Sequence, residues 1–133
     1  MTQEEKVQYW TNVSNNDLKA ADVLFGGQQY LYTCFMCHQT IEKIFKGCFG
    51  KLNLQEHPHI HNLATLAQRS NIFEMLSEEQ KNFIATLNPF NIEARYPDYK
   101  KSLQNYLTKE ITQDVLTKTK ELQKWTIETI LSQ

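Results

Sequence analysis

Two side chains near the middle of the chain, His38 and Glu42, have the types and spacing for acid–base or ligand chemistry. An imidazole changes charge near neutrality, a carboxylate can hold or give up a proton, and residues four apart on a helix are neighbours. Both interrupt a stripe that is otherwise apolar (Leu31, Phe35, Phe45, Phe49), so both are expected to point inward. A buried carboxylate must be paired, hydrogen-bonded or protonated. The couple is therefore either an acid–base or ligand-contacting pair, or a satisfied polar contact that fixes helix register or a dimer contact. The second reading is preferred, because structural networks also perturb titrations. Asp17 falls in line with Trp10, Val13 and Leu24, and either meets this polar centre or faces water at the edge of its stripe.

Lysines are the next candidates. Lys43 and Lys46, with Gln39, occupy a third face of the same segment and can hold a phosphate as point charges; a solvated face is the plainer reading. Lys100, Lys101, Lys109, Lys118, Lys120 and Lys124 make residues 100–124 locally basic against Glu110, Asp114 and Glu121. Packed beside the second helix, that segment makes a modest positive groove suited to a nucleotide or RNA backbone. It carries no stacking platform and no Gly-rich phosphate loop. His57, His59 and His61 alternate as residues on one face of an extended strand do, but their spacing fits no closed zinc pattern. They read as ordinary loop histidines. Cys34-x-x-Cys37 lies inside an apolar helical stripe and reads as small core hydrophobes. No Ser/His/Asp constellation, metal site or cofactor is expected.

The elements that must position these groups read as helices. Glu4 to Phe25 places Trp10, Val13, Ala20, Ala21 and Leu24 at helical spacing, and Gly26-Gly27 ends the run. Gln28 to Leu52 is the central helix, with a second stripe, Cys34, Cys37, Ile41, Ile44 and Cys48, beside the one that holds His38 and Glu42. Asn53 to Asn62 reads as a connection, and Asn62 as the cap of a short helix with Leu63, Leu66 and Ala67. Ser77-Glu78-Glu79-Gln80 has the form of a capping box, opening a helix with Phe83, Ile84 and Leu87 inward; Asn88-Pro89 should stop it. Asn91 to Tyr99 looks extended or turn-like. A last helix, under way by Lys109, turns Ile111, Val115, Leu122 and Trp125 inward. The expected fold is all-α, an antiparallel up-and-down bundle of four main helices plus one short one.

Bulk composition agrees. The chain has 133 residues, 41% hydrophobic and 22% charged, which suits one globular domain over 1–133; four glycines and three prolines are too few for a many-turned β fold. A net charge of −1 excludes a global attraction to polyanions, so any such site must be a local patch. The N-terminus lacks the basic-then-apolar pattern of a signal peptide, and no apolar run approaches the roughly 20 residues that span a bilayer. A cytoplasmic protein with reduced thiols and no membrane association is expected. Seven Phe, six Tyr and two Trp are generous for this length and favour a homodimer.

Several pieces taken together resemble the HEPN domain. They are Trp10, Asn16-Asp17-Leu18-Lys19-Ala20-Ala21, Gly27-x-x-Tyr30, Phe35-x-x-His38-Gln39-x-x-Glu42-Lys43-x-x-Lys46, Pro58-His59-Ile60-His61-Asn62-Leu63 and Arg95-Tyr96-Pro97-Asp98. The resemblance implies an antiparallel bundle, commonly homodimeric, often encoded beside a small nucleotidyltransferase as a toxin–antitoxin or defence pair. Many members are metal-independent RNA endonucleases with an Arg-x4-6-His motif near the final helices. This chain departs from that pattern. Its only arginines are Arg69 and Arg95, and no histidine lies beyond His61. The resemblance places Arg95, Tyr96 and Asp98, with Lys43 and Lys46, at a nucleotide or partner surface, though Tyr96 and Pro97 equally suit a rigid packed turn. The function it implies is a non-catalytic nucleotide- or RNA-binding module, or a nucleotidyltransferase partner. The alternatives are an RNA endonuclease with a non-standard site drawn from His38, Glu42, Lys43 and Arg95, and a purely structural dimer.

Overall fold

The computed structural model describes residues 1–52, 59–92 and 97–132, with the backbone alone at 92 and 97–99. Among them the chain is all-α, without a strand. Helix α1 (Gln3–Gly26) begins with a capping box. The Thr2 hydroxyl accepts from the Glu5 amide and the Glu5 carboxylate accepts from the Thr2 amide, each at 3.1 Å. This satisfies donors that a helix start otherwise leaves open. After α1 the chain reverses through Gln28, held in the left-handed region at φ 61°, into α2 (Tyr30–Lys51).

Both apolar stripes of α2 are used, as its sequence suggests. Cys34, Cys37, Ile41, Ile44 and Cys48 are buried along one edge, and Leu31, Phe45 and Phe49 along the other. At roughly 1.5–3 kcal/mol per large apolar side chain, this burial offsets the several kcal/mol that each ion costs to desolvate. The third face is a correction. Lys46, Gly47 and Gly50 are buried and Lys43 is half-buried, because α1 lies antiparallel on top of them. A Cβ on Gly50 would stand 2.7 Å from the Lys6 Cβ, and one on Gly47 3.6 Å from the Trp10 Cβ. The glycines remove the side chains that would hold α1 away.

Helix α7 (Lys109–Thr126), capped by Thr108 and continued by a π turn (Ile127–Leu131), completes the central layer. It runs antiparallel to α1, with Lys120 at 2.8 Å from Asp22 and Gln123 at 3.0 Å from Ser14. It runs in the same sense as α2, and Lys51 donates to the carbonyl of Ile130 at its far end. Val115 and Leu122 are buried, and Ile111 and Trp125 pack against them half-buried.

The segment between α2 and α7 is more divided than four main helices and one short one would have it. It holds α3 (Leu63–Arg69), a 3-10 turn (Phe73–Met75), α4 (Glu78–Leu87), α5 (Pro89–Ile92) and α6 (Pro97–Tyr106). Asn62 caps α3 by accepting from the Thr65 amide at 3.0 Å, and Ser77 and Gln80 form the capping box of α4. Proline reads in the sequence as a stop. Here α4 does end at Leu87, but Pro89 and Pro97 each open a new helix. At a first helical position the missing N–H costs nothing and φ is already set. Residues 97–99 are thus helical rather than extended.

Candidate functional site

Glu42 is the hub of the polar centre. It is 1% exposed, in the middle of α2. Its Oε2 accepts from Lys46 Nζ at 3.0 Å, one turn along, and its Oε1 accepts from His61 Nδ1 at 2.9 Å. His38 Nδ1 stands 3.8 Å from the same Oε1. Burial pushes the Glu42 carboxyl up, but hydrogen bonds from His61 and Lys46 and the nearby Lys46 charge outweigh it and hold the carboxyl below its ordinary value. Glu42 is therefore ionised. His38 answers differently. Burial drives its pKa down to about 4 against the pull of Glu42, so the ring is neutral at pH 7. Neither ring nitrogen makes a well-formed hydrogen bond among the described residues, although the backbone of His61 lies against the ring.

The expected meeting of His38 and Glu42 inside the bundle is thus present, but the closer partners of Glu42 are Lys46 and His61. Lys46 is itself buried, with its ammonium 5.5 Å from the centroid of Trp10 on α1. His61 reaches in from just before α3 and is 49% exposed at its side chain, so it is the solvent edge of the cluster. In the sequence it reads as a loop histidine that, with Asn62, opens the third helix, not as a partner of Glu42. The one local signal was its place beside the Asn62 cap, which pins the start of α3 and with it the approach to α2.

A second network adjoins the first. Lys43 Nζ contacts Asp17 at 3.2 Å and Gln39 at 3.0 Å, and the Gln39 amide donates to Asn91 Oδ1 at 3.0 Å. Asp17 therefore meets Lys43, not Glu42. Asn88 on the same connection accepts from the Leu63 amide at 2.9 Å, tying α4 to the start of α3. A third polar knot joins the long helices: Ser14 donates to the Thr40 carbonyl at 2.7 Å, and Gln123 donates to Ser14 and Asn15. Asp17, Gln39 and Lys43 stand out in the sequence, whereas Ser14, Asn15, Thr40, Asn91 and Gln123 carry no signal there that marks them as members of these knots.

Arg95 and Tyr96 lie outside the described residues, as does His57, and Asp98 is described in backbone only, at the start of α6. Of the basic segment, Lys118 pairs with Asp114, Lys120 with Asp22 and Lys100 with the Tyr32 hydroxyl. The three cysteines are buried free thiols. Desolvation pushes Cys34 up, and Cys37 and Cys48 to about 12, so they behave as core side chains rather than nucleophiles. Among the described residues no group of three or more His, Cys, Asp and Glu gathers as a metal would need.

The family profile of the HEPN domain matches residues 7–130, which takes in α1 from its second turn, all of α2 and α7, and the polar centre. The chain belongs to the HEPN domain family. The match extends through α7, where the sequence motifs alone carried only length and character. No curated protein and no solved structure matches the chain. No helix among the described residues of this HEPN domain is long and apolar enough to cross a membrane. Chemically, the centre of this HEPN domain offers one outward group: His61, held at Nδ1 by an ionised carboxylate and open to solvent on its other side.

Proposed function

We propose that this HEPN domain is a non-catalytic module, a single domain that is cytoplasmic and homodimeric, which holds a nucleotide or RNA segment or docks a small nucleotidyltransferase of the toxin–antitoxin or defence kind. The observation that carries this reading is that the acid and base candidates of α2 are already committed. Glu42 uses both oxygens on Lys46 and His61, Lys43 lies between Asp17 and Gln39, and His38 is neutral and sealed from solvent. General acid–base catalysis needs such a group within hydrogen-bond reach of the scissile bond. Neither arginine is followed by a histidine. Arg95, Tyr96 and Asp98 belong to the proposed ligand or partner surface, together with the half-buried Lys43; Lys46, sealed under α1 and paired with Glu42, does not reach it. Homodimer formation is checked by gel filtration with light scattering. A thermal-shift screen of nucleotides and co-purification with the neighbouring gene product test the rest. The expected outcome is stabilisation by a nucleotide or capture of a nucleotidyltransferase; neither appearing overturns the proposal.

A second reading, an RNA endonuclease with a non-standard site, draws on His61. A buried carboxylate that fixes one ring nitrogen leaves the other available to a substrate proton, the logic of a histidine–carboxylate couple. RNA cleavage by the purified protein that disappears in His61→Ala, Glu42→Gln and Arg95→Ala would favour this reading over the first.

A further inference from the structure

Where α1 turns into α2, a cavity of about 180 Å³ opens against the end of α6. Gln28 and Gln29 line it from the turn, Tyr30, Leu31 and Tyr32 from the start of α2, Gln104 from α6 and Leu107 from just beyond it; no carboxylate is among its lining residues. Tyr32 is 41% exposed. Lys100, one turn before Gln104, donates to the Tyr32 hydroxyl at 2.9 Å. The same ammonium is 5.3 Å from the ring centroid. A nitrogen so near the hydroxyl and so far from the centroid sits off the hydroxyl edge of the ring, not over its face. Lys101 beside it is exposed. The side chains of Gln28 and Gln104 bring amide groups to its wall.

We propose that this pocket takes one nucleobase of a single-stranded RNA, stacked on Tyr32, with the adjoining phosphate against Lys100 and Lys101. The proposal rests on the RNA reading above and gives it a place. Aromatic faces accept any base, and the glutamine amides offer both donors and acceptors to a base edge. Lysines serve phosphate as point charges. The volume falls below the roughly 300–1,000 Å³ of pockets that enclose a whole drug-sized ligand, which suits a single planar group with the rest of the strand lying outside. An exposed aromatic within the basic segment, Tyr106, is not among the residues that line the cavity. The fold supplies the aromatic platform from 68 residues away, across α2 and α6.

The test is fluorescence anisotropy of a labelled oligouridine with the full chain, read at several salt concentrations. Tyr32→Ala is expected to weaken binding about tenfold or more, and Tyr32→Phe, which keeps the stacking face, about twofold or less. Lys100→Gln should weaken binding and flatten its salt dependence. Tyr9→Ala should change nothing; Tyr9 is an exposed tyrosine roughly 25 Å back along α1 at about 1.5 Å per residue. Unlabelled oligouridine should compete and free UMP should compete far less. UMP competing as well as the strand would overturn the strand in favour of a free nucleotide. Tyr32→Ala or Lys100→Gln binding as wild type would overturn this pocket and leave the RNA reading standing. Wild-type protein that binds no oligouridine would remove both, leaving only the docking of a protein partner. Circular dichroism confirms that each variant is folded, and should Tyr32→Ala not fold, Lys100→Gln decides the matter.

Discussion

Glu42 and Tyr32 stand within three turns of each other on α2 and meet opposite surroundings. Glu42 has every strong partner it can use: a buried ammonium, an imidazole at the solvent edge and a second, buried imidazole just beyond hydrogen-bond reach. Tyr32 has one lysine at its hydroxyl and an open cavity beside it. The contrast separates two uses of polarity. A charge hidden in a core is held by its neighbours and mainly specifies how the helices fit, whereas polar groups at an open end retain capacity for a ligand. The residue that looks most like chemistry in the sequence is the more structural of the two.

The comparison breaks most directly at Glu42. Removing the carboxylate in Glu42→Ala leaves Lys46 buried beneath Trp10 without its counter-ion, which should cost about 3–5 kcal/mol in urea unfolding. Glu42→Gln should cost less, since the amide keeps hydrogen bonds. A loss below about 1 kcal/mol for the alanine variant would mean that water reaches the cluster, and the contrast with Tyr32 would vanish.

Acid should reveal the same burial. The folded His38 pKa is lowered from 6.5 to about 4, so below 6.5 the unfolded chain binds a proton that the native ring refuses. Stability is therefore complete above that value and falls as the pH drops towards 4, by a total on the order of 3 kcal/mol. Glu42, whose carboxyl is held low, contributes stability above its unfolded pKa that is lost at still lower pH. Urea melts across this range should slope less steeply for His38→Gln than for the wild type. Identical slopes would mean that the ring is solvated.

Gly50→Ala tests the lid over the cluster. A helical glycine normally gains about 1 kcal/mol on replacement by alanine. Here the new Cβ would meet Lys6 at 2.7 Å, with Lys6 and Val7 backbone just behind. Overpacking of about 1–3 kcal/mol should prevail, for a net loss of about 1 kcal/mol; a gain would show that α1 is loosely seated. The smallest effect belongs to the open end. Tyr32→Ala should alter the melting of the protein by no more than about 0.5 kcal/mol while it weakens RNA binding, because the side chain is exposed. A large loss of stability would make Tyr32 part of the framework like Glu42.

Much of this was legible before any tertiary contact. The stripes of α2 followed a period that only a helix buries, and Ser77 with Gln80 and Asn62 with Thr65 marked helix starts through bonds spanning three residues. His38 and Glu42 stood out because they broke an apolar pattern. Asn88-Pro89 did mark the end of α4, but the short helix that Pro89 opens and the helix that Pro97 opens were not legible, since a proline has the same local geometry whether it ends one helix or opens the next. Lys46 misled too: its face looked polar by composition, and nothing within α2 says that Gly47 and Gly50 exist to admit another helix.

The sequence by itself determined what local periodicity and short-range hydrogen bonds can encode: an all-α chain, a two-sided central helix, its buried thiols and its inward imidazole and carboxylate. Only the tertiary structure decided who meets them. His61 comes to Glu42 across 19 residues and Lys100 to Tyr32 across 68. Those encounters depend on how whole helices pack, and packing is set by the sum of many apolar contacts rather than by the residues that happen to meet.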